Sequence, residues 1–304
     1  MGNRILITGA SGSVGGALLA QLKAQLGDDP RASSLTLVAA SRSPAQREAF
    51  AAQGVETVAL DYADAASVSA AMQNIDQLFL CTGYTIDMLV HSKLALDAAR
   101  DGGVKQVVHL GALGPKGSKL PHFVWHEYVE AYVAQLGFQH TFLRPRAFMQ
   151  NVLATLRPGS TVLRHFGGPH RMGWIDVDDI ARVAAEALLD GDLHHGKGYP
   201  LSEDSLSMDE VAAVIAQVTG LLFRADAKDT ALLLPALLKT GMDPTYADSL
   251  ARGTAATARG EAADAANVYG TVQQVTGRPG TRWADFARIH RARLMQPAPA
   301  PSNR

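Results

Sequence analysis

The chain has 304 residues, of which 47% are hydrophobic and 19% are charged, and its formal net charge is −1. This length is sufficient for one large α/β domain or for one domain with a small appendage. The nearly balanced charge, without a long basic or acidic run, argues against nucleic acid or an anionic membrane surface as a partner.

The N-terminal segment and the cysteine content indicate the compartment. The opening MGNRILITG lacks the long apolar core of a signal peptide. No apolar stretch approaches the ~20 residues that span a bilayer. Cys81 is the only cysteine, so no intrachain disulfide can form, which fits a reducing compartment. We therefore expect a soluble cytoplasmic protein with no membrane partner.

Short apolar runs alternate with longer amphipathic segments over the first 145 residues. Strands are predicted at RILIT, LTLVAAS, ETVALD, QLFLCTG, QVVHLGA and HTFLRP. Helices are predicted at residues 17–26, at AQREAFAAQG and AASVSAAMQ, and at residues 88–100 and 127–136. Strands that alternate with helices form βαβ units. The predicted fold class is therefore α/β, with a doubly wound parallel sheet and helices on both faces.

The pattern becomes less regular after Pro145. The segment MGWIDVDDIARVAAEALLD predicts a strand, a turn and a helix, with Asp178 or Asp179 as the helix N-cap. Further helices are predicted at MDEVAAVIAQVTG, which ends in glycine, and across the alanine-rich residues 230–266. This region is predicted to be mostly helical.

The same pattern predicts the domain organisation. Residues 1–150 are expected to form the first domain, and residues 172–190 to return to it. Residues 151–295 are expected to form a smaller, interleaved domain that covers the substrate. The Pro- and Ala-rich residues 296–304 are expected to be a disordered tail.

Three glycines, Gly9, Gly12 and Gly15, lie between the first strand and the first helix. Glycines also occur in any tight strand-to-helix turn, but here they open the first βαβ unit, where a dinucleotide pyrophosphate binds. Gly9 allows the tight turn, Gly12 lets backbone N–H groups approach the pyrophosphate, and Gly15 lets the helix lie close to the sheet. The predicted cofactor loop consists of Gly9, Ser11, Gly12, Ser13, Val14 and Gly15.

The end of the second strand favours NADP(H) over NAD(H). An NAD site usually has an acidic residue there to bind the ribose hydroxyls, and AASRSP has none. Arg42 could pair with a 2′-phosphate, and Ser41 and Ser43 could donate hydrogen bonds to it. The alternative for Arg42 is a solvated surface arginine. Asp61, at the end of the third strand, could lie beside the adenine or cap a helix.

Four segments together resemble one known family. They are TGASGSVGGALLAQL, AARDGGVKQVVHLGALG, HEYVEAYVAQLGFQHTFLRPRAFMQN and TGRPGTRWADFARIH. The chain resembles the NmrA-like family of atypical short-chain dehydrogenase/reductase relatives over residues 4–290. That family includes NADPH-dependent quinone and triphenylmethane-dye reductases, isoflavone-type reductases and NADP-sensing regulators without known chemistry. The resemblance implies a Rossmann domain, a smaller C-terminal domain and a cleft between them over the nicotinamide.

The resemblance also places further cofactor contacts at the ends of the fourth and fifth strands and at the following helix. These predicted contacts are Thr82, Gly83, Gly111, Ala112 and His126. Ordinary members of the wider superfamily use Tyr-x-x-x-Lys and a serine. No tyrosine of this chain has a lysine four residues later. Gly111 stands where the serine is expected, and His126 stands where several family members carry lysine.

Two functions remain open from the sequence. In the first, NADPH transfers a hydride directly to a small apolar acceptor, such as a quinone or activated carbonyl, and Gly111 leaves room for its flat ring. His126 is the candidate catalytic residue: it donates a proton, binds the substrate or only contacts the nicotinamide ribose. Glu130, one turn further along the helix, orients His126 or makes a structural hydrogen bond. In the second function, the protein senses NADP(H) without turning it over.

An apolar substrate pocket is predicted around the cleft, although core packing is the default for each of its residues. Its predicted lining is Tyr84, Met88, Leu113, Phe123, Trp125, Phe148 and Met149. Cys81 is expected to be a buried thiol that packs as a small hydrophobe. No metal site is expected. Four histidines considered as ligands lack the helical spacing and neighbouring acids of a metal site and are predicted to be exposed loop residues: His165, His170, His194 and His195.

Overall fold

Strand and helix bounds come from a computed structural model of the protein, which describes residues 3–26, 29–32, 34–115, 117–262 and 264–296. The strands are β1 (Arg4–Ile7), β2 (Thr36–Ser41), β3 (Glu56–Ala59), β4 (Gln77–Leu80), β5 (Gln106–Leu110), β6 (Gln139–Pro145), β7 (Ala147–Phe148), β8 (Val162–His165), β9 (Met172–Ile175), β10 (Lys197–Leu201), β11 (Asp204–Leu206) and β12 (Arg224–Ala227). The helices are α1 (Ser13–Gln25), α2 (Pro44–Ala51), α3 (Ala65–Ala71), α4 (Met88–Asp101), α5 (Pro121–Gln135), α6 (Gln150–Thr155), α7 (Val177–Leu189), α8 (Gly191–His194), α9 (Met208–Thr219), α10 (Leu233–Lys239), α11 (Pro244–Ala258), α12 (Thr271–Thr276), α13 (Trp283–Ile289) and α14 (Arg291–Leu294). A short 3-10 helix at Thr230–Leu232 precedes α10. Of the predicted tail, only Gln296 lies within the described residues.

Seven strands form the main sheet in the order β3-β2-β1-β4-β5-β6-β10, and every pair is parallel. The predicted doubly wound parallel sheet is therefore confirmed. The strand order reverses between β1 and β4, which opens a crevice at the carboxyl ends of these strands. Strand β10 was not predicted, because glycine and proline interrupt its sequence KGYPL, and an edge position is where a sheet accepts proline.

Helices cover both faces of this sheet. On one face α1 packs along α7, and their apolar side chains share a core with β1 and β5. On the other face α3, α4 and α5 enclose a second core against the same strands. Each central strand is buried on both faces, which explains their continuous apolar runs.

The second lobe has its own core, built around two tryptophans. Trp174 and Trp283 meet edge to face with ring centroids 5.2 Å apart, and Met149 and Phe286 are buried beside them. Two small sheets, β11-β9-β7 and β12-β8, and helices α9, α13 and α14 surround this core. The chain crosses between lobes repeatedly, because α7, β10 and α12 all pack on the main sheet or its helices.

Several predicted elements have different bounds in the structure. Helix α5 begins at Pro121 rather than at residue 127, because proline occupies its first turn, where no N–H is needed. The helical segment predicted across residues 230–266 is divided into the 3-10 helix, α10 and α11. The prediction that Asp178 or Asp179 caps α7 is wrong: Asp176 is the N-cap, and its carboxylate accepts a hydrogen bond from the backbone of Asp178. Within the described residues no helix is long and apolar enough to cross a membrane.

Candidate cofactor and active site

The glycine turn between β1 and α1 has the shape of a pyrophosphate cradle. Gly9 has a φ of +65°, and its carbonyl accepts a hydrogen bond from the N–H of Gly12 at 2.8 Å. A Cβ atom on Gly15 would lie 2.2 Å from the Gly9 oxygen, so only glycine fits there. A Cβ on Gly12 would lie 3.2 Å from the same oxygen, and no side chain of the described residues caps α1. The first N–H groups of α1 are therefore left for an anion, which fits a dinucleotide.

The other residues of this loop differ in what they can offer a ligand. Ser11 and Ser13 are exposed. Val14 is only 4% exposed and packs in the core between α1 and α7, so its backbone alone is available. The turn is held in place by Thr8, whose hydroxyl donates to the Phe79 carbonyl at 2.9 Å and accepts from the N–H of Cys81 at 2.8 Å. Thr8 was not identified from the sequence, because its partners lie on the next strand of the sheet.

Cys81 lies directly against the glycine turn. Its Sγ atom would be 3.1 Å from a Cβ on Gly9. Burial raises the pKa of the Cys81 thiol to about 11, so it is neutral at physiological pH. A neutral, half-buried thiol has the packing role expected from the sequence.

Two arginines lie at the carboxyl end of β2, of which the sequence indicated one. Arg42 is exposed, and its guanidinium makes no hydrogen bond or ion pair with the described part of the chain. Arg47, from α2, donates from Nη1 to the carbonyls of Ser41 at 2.8 Å and Arg42 at 3.0 Å. The Ser43 hydroxyl caps α2. This strand end thus carries two cations, and Arg47 was missed because it reaches back from the following helix.

Asp61 is not the cap of the next helix. Its carboxylate accepts a hydrogen bond from the Ala63 N–H at 3.1 Å. Asp64 is the N-cap of α3, because its carboxylate accepts from the Ala66 N–H. The helix-cap alternative for Asp61 is therefore wrong, and its place beside an adenine stays a prediction.

A pair of buried histidines lies at the carboxyl end of β5. His109 Nε2 and His126 Nδ1 are 3.2 Å apart, and the two residues are 0% and 3% exposed. Burial lowers the pKa of His109 to about 4 and, with the neighbouring histidines, holds the pKa of His126 well below its usual value. Both rings are therefore neutral at pH 7. One of the two facing nitrogens therefore carries a proton and donates it in a hydrogen bond to the other.

Both outer nitrogens of this pair, His109 Nδ1 and His126 Nε2, are buried and make no hydrogen bond within the described residues. A buried nitrogen left unpaired costs stability, so each of these atoms is a candidate contact for a ligand or a water. His109 was missed by the sequence analysis. Its one visible signal was a single histidine inside the apolar strand QVVHLG.

Of the two roles predicted for Glu130, the structure shows the structural hydrogen bond and not the orientation of His126. Its carboxylate accepts hydrogen bonds from Nε of Arg144 at 3.0 and 3.2 Å, and a further one from Nη2. A Cβ on Gly111 would lie 3.2 Å from Glu130 Oε1 and 3.2 Å from the Leu143 carbonyl oxygen. Glycine at 111 therefore makes room for this part-buried ion pair. The missing Cβ atom would point toward the ion pair, so room for a substrate ring beside Gly111 stays a prediction.

An aromatic stack covers the histidine pair. Tyr84, after β4, stacks on Tyr246 of α11 with ring centroids 4.8 Å apart and planes 16° apart. Tyr84 also meets the His126 ring edge to face at 6.3 Å. His122 lies edge to face with Tyr246 at 5.8 Å and against the Phe123 ring at 3.9 Å. Tyr246 was missed because the segment that carries it has weak helical periodicity.

The other predicted pocket residues are distributed between the cleft and the cores. Met88 and Met149 are 1% and 0% exposed and pack inside the cores, where they are closed to a ligand. Trp125 and Phe148 are half-buried and pack against the two cores of the main sheet. Leu113 is half-buried beside Ala112, and its N–H donates to the Pro145 carbonyl at 3.0 Å.

The four histidines that were predicted to be exposed loop residues differ in their burial. His194 is 4% exposed rather than an exposed loop residue, and its Nδ1 lies 2.6 Å from the Tyr199 hydroxyl. His165 is half-buried, and His170 and His195 are exposed. In the described ranges no three His, Cys, Asp or Glu side chains are grouped as metal ligands would be.

Curated relatives cover nearly the whole chain. NAD(P)H azoreductase from Xenophilus azovorans is 29% identical over 95% of this chain and 98% of its own length. The (4-alkanoyl-5-oxo-2,5-dihydrofuran-3-yl)methyl phosphate reductase from Streptomyces griseus subsp. griseus is 30% identical over 94% of this chain and 97% of its own. These relatives are reductases, and the first is named for its use of NAD(P)H.

Solved structures agree with the fold. The NADPH-dependent quinone oxidoreductase from Escherichia coli, complexed with NADPH, has a TM-score of 0.76 at 26% identity, covering 94% of this chain and 99% of its own. The triphenylmethane reductase from Citrobacter sp. has the same fold, with a TM-score of 0.76 at 22% identity. The NmrA-like family model matches residues 1–256. The resemblance seen in the sequence is confirmed, and the chain belongs to the NmrA-like family.

Proposed function

We propose that this protein is an NADPH-dependent oxidoreductase that reduces a small apolar acceptor, a quinone or an activated carbonyl or enone, without a tyrosine–lysine dyad. The observation that carries the proposal is the unpaired Nε2 of His126 under an aromatic cover, at the carboxyl edge of the sheet that also holds the glycine turn. An apolar enclosure with one polar atom suits a small apolar substrate with one polar group. The names of the azoreductase and quinone oxidoreductase relatives support the same class.

The residues present fit a dinucleotide phosphate. The N–H groups of the glycine turn would hold the pyrophosphate, and Arg42 and Arg47 would hold the 2′-phosphate. Thr82, Gly83, Gly111 and Ala112, at the ends of β4 and β5, would flank the nicotinamide. When bound, NADPH supplies a hydride. The chain's own contribution is to orient the acceptor, exclude water and present His126.

The neutral state of His126 limits what it does. Reduction of a quinone consumes one hydride and one proton, and an imidazole that is neutral at pH 7 is a hydrogen-bond partner rather than a strong acid. We infer that its Nε2 binds the polar atom of the acceptor. In His126→Gln we therefore expect KM to rise more than kcat falls, measured by steady-state kinetics; a large loss in kcat with KM unchanged would instead make His126 a group that acts in the transition state.

The function itself is tested by cofactor consumption. We expect the NADPH absorbance band to decay when naphthoquinones, enones or azo dyes are added to the purified protein, faster than in a reaction without protein. Calorimetric titration with NADPH runs in parallel. Tight NADPH binding with no acceptor-dependent consumption would contradict the enzyme and favour a protein that senses NADP(H) without turning it over.

The cofactor preference is tested at the end of β2. Arg42→Ala is expected to weaken NADPH binding about 10- to 100-fold, because a charge-assisted hydrogen bond to the 2′-phosphate contributes about 1.5–3 kcal/mol. NADH binding should change little, since NADH has no 2′-phosphate. Fluorescence titration with both cofactors measures this, with exposed Arg100 replaced by alanine as the control. An equal loss for both cofactors would place Arg42 outside the phosphate site.

A further inference from the structure

The stacked pair Tyr84 and Tyr246 joins the two lobes at the mouth of the candidate site. Tyr84 comes from the segment that links β4 to α4, and Tyr246 from the first turn of α11 in the second lobe. The rings are nearly parallel, at 16°, with centroids 4.8 Å apart. This is the offset-stacked arrangement that aromatic rings prefer. The His126 ring lies edge to face beneath Tyr84.

The Tyr246 side of the stack is fixed. The Ser249 hydroxyl, 0% exposed, lies 2.7 Å from His122 Nδ1 and accepts from the His122 N–H at 3.3 Å, which pins α11 to α5. The Asp243 carboxylate caps α11 by accepting from the Tyr246 N–H at 2.9 Å. The Tyr246 ring also meets His122 edge to face. The face of the Tyr246 ring that Tyr84 covers is thus held in one orientation.

The Tyr84 side is only weakly held. Tyr84 is 42% exposed, and its hydroxyl has no hydrogen bond to any residue that the structure describes. Gly83, next to it, is exposed and has nothing within 4 Å of its Cβ position. Displacing the Tyr84 ring would therefore break its stack on Tyr246 and its edge-to-face contact with His126, but no hydrogen bond to a described residue.

We propose that Tyr246 is the platform on which a planar, conjugated and uncharged acceptor stacks, and that the Tyr84 ring occupies this place until the acceptor displaces it. This rests on the proposed function and narrows its acceptor class from small apolar carbonyl compounds to flat ring systems. A ring stacked on Tyr246 would take the place of the Tyr84 ring beside His126, the residue that carries the unpaired Nε2. Burial raises the pKa of Tyr246 to about 12, so the platform stays uncharged across the physiological range.

Binding of two probes to the protein loaded with NADP⁺ tests the platform without turnover, because the oxidised cofactor has no hydride to give. The probes are 1,4-naphthoquinone, which is planar, and 2-cyclohexenone, which has no aromatic face. Tyr246→Leu is expected to weaken naphthoquinone binding roughly 10-fold, a factor equivalent to the upper range of one aromatic pair, and to leave cyclohexenone binding unchanged. Tyr246→Phe should keep both affinities within a factor of about 2, since it preserves the ring.

Tyr84→Ala distinguishes a Tyr84 ring that the acceptor displaces from one that stays in place and contacts the acceptor. It is expected to leave naphthoquinone binding unchanged or tighter, because the competing ring is gone. Tyr128→Leu, at a 64% exposed position on the outer face of α5, is the matched control. The proposal is overturned if Tyr246→Leu binds naphthoquinone as tightly as the parent protein does, or if it loses affinity for both probes equally. It is also overturned if Tyr84→Ala loses as much naphthoquinone affinity as Tyr246→Leu. Failure of the enzyme proposal would appear separately, as an absence of NADPH consumption.

Discussion

Gly12→Val is expected to weaken NADPH binding by about 100-fold or more while the protein still folds. Gly12 has φ −83° and ψ 174°, which valine adopts readily, and its Cβ would meet only the Gly9 oxygen at 3.2 Å. The added side chain would occupy the space in front of the first N–H groups of α1. Two lost hydrogen bonds to a charged group, at about 1.5 kcal/mol each, correspond to about 100-fold. Fluorescence titration with NADPH measures the loss, and circular dichroism checks the fold.

Substitution of Gly15, in the same turn, is expected to affect the stability of the fold. In Gly15→Ala the new Cβ would lie 2.2 Å from the Gly9 oxygen, so the backbone itself must move. We expect a loss of about 1–3 kcal/mol in the free energy of unfolding, as for other overpacked sites. If Gly12→Val binds NADPH like the parent, the phosphates bind elsewhere. If Gly15→Ala is as stable as the parent, the turn is not packed as described.

His109 is expected to make the protein sensitive to mild acid. Its pKa is about 4 in the folded protein and near 6.5 in an unfolded chain. The His109 imidazole is therefore protonated below about pH 6.5 in the unfolded chain, but only below about pH 4 in the folded protein. The stability from the neutral ring is fully present above pH 6.5 and is lost as the pH falls to about 4; a difference of 2.5 pKa units corresponds to about 3 kcal/mol.

The comparison with His109→Gln measures this contribution together with the effect of His109 on the pKa of His126. Glutamine keeps a polar atom for His126 Nδ1 but does not titrate. Urea unfolding of both proteins between pH 7 and pH 4 should show the parent losing about 3 kcal/mol relative to the variant. A stability difference that stays constant with pH would mean that His109 is not kept neutral by the fold.

The sheet was predictable because its signal is local. Most of the strands β1 to β6 contain a short apolar run, and the glycine turn lies between β1 and α1, so the parallel sheet and the cradle follow from short segments. His109, Arg47 and Tyr246 were not predicted because their roles depend on neighbours far away in the sequence. His109 matters only because α5 brings His126 to within 3.2 Å. Tyr246 matters only because α11 is pinned beside α5 by Ser249.

Gly111 was singled out from the sequence because a serine is expected there, but its surroundings could not be predicted from the sequence. The absence of the expected serine was visible in HLGALG. The direction in which the missing side chain would have pointed was not, because it depends on where Glu130 and Arg144 meet. The glycine accommodates the part-buried ion pair of Glu130 and Arg144, whereas the proposed place for an acceptor is at Tyr84 and Tyr246.

The repeated crossing of the chain between the two lobes constrains how this scaffold can acquire a new substrate. Helices α7 and α12 and strand β10 return to the main sheet between stretches of the second lobe. The second lobe has no single entry and exit point, so recombination cannot exchange it for a relative's lobe as one module without dividing a hydrophobic core. New specificity must instead arise by point substitutions in place. The short segment before α4, where Gly83 and Tyr84 are exposed, is where such changes cost the fold least.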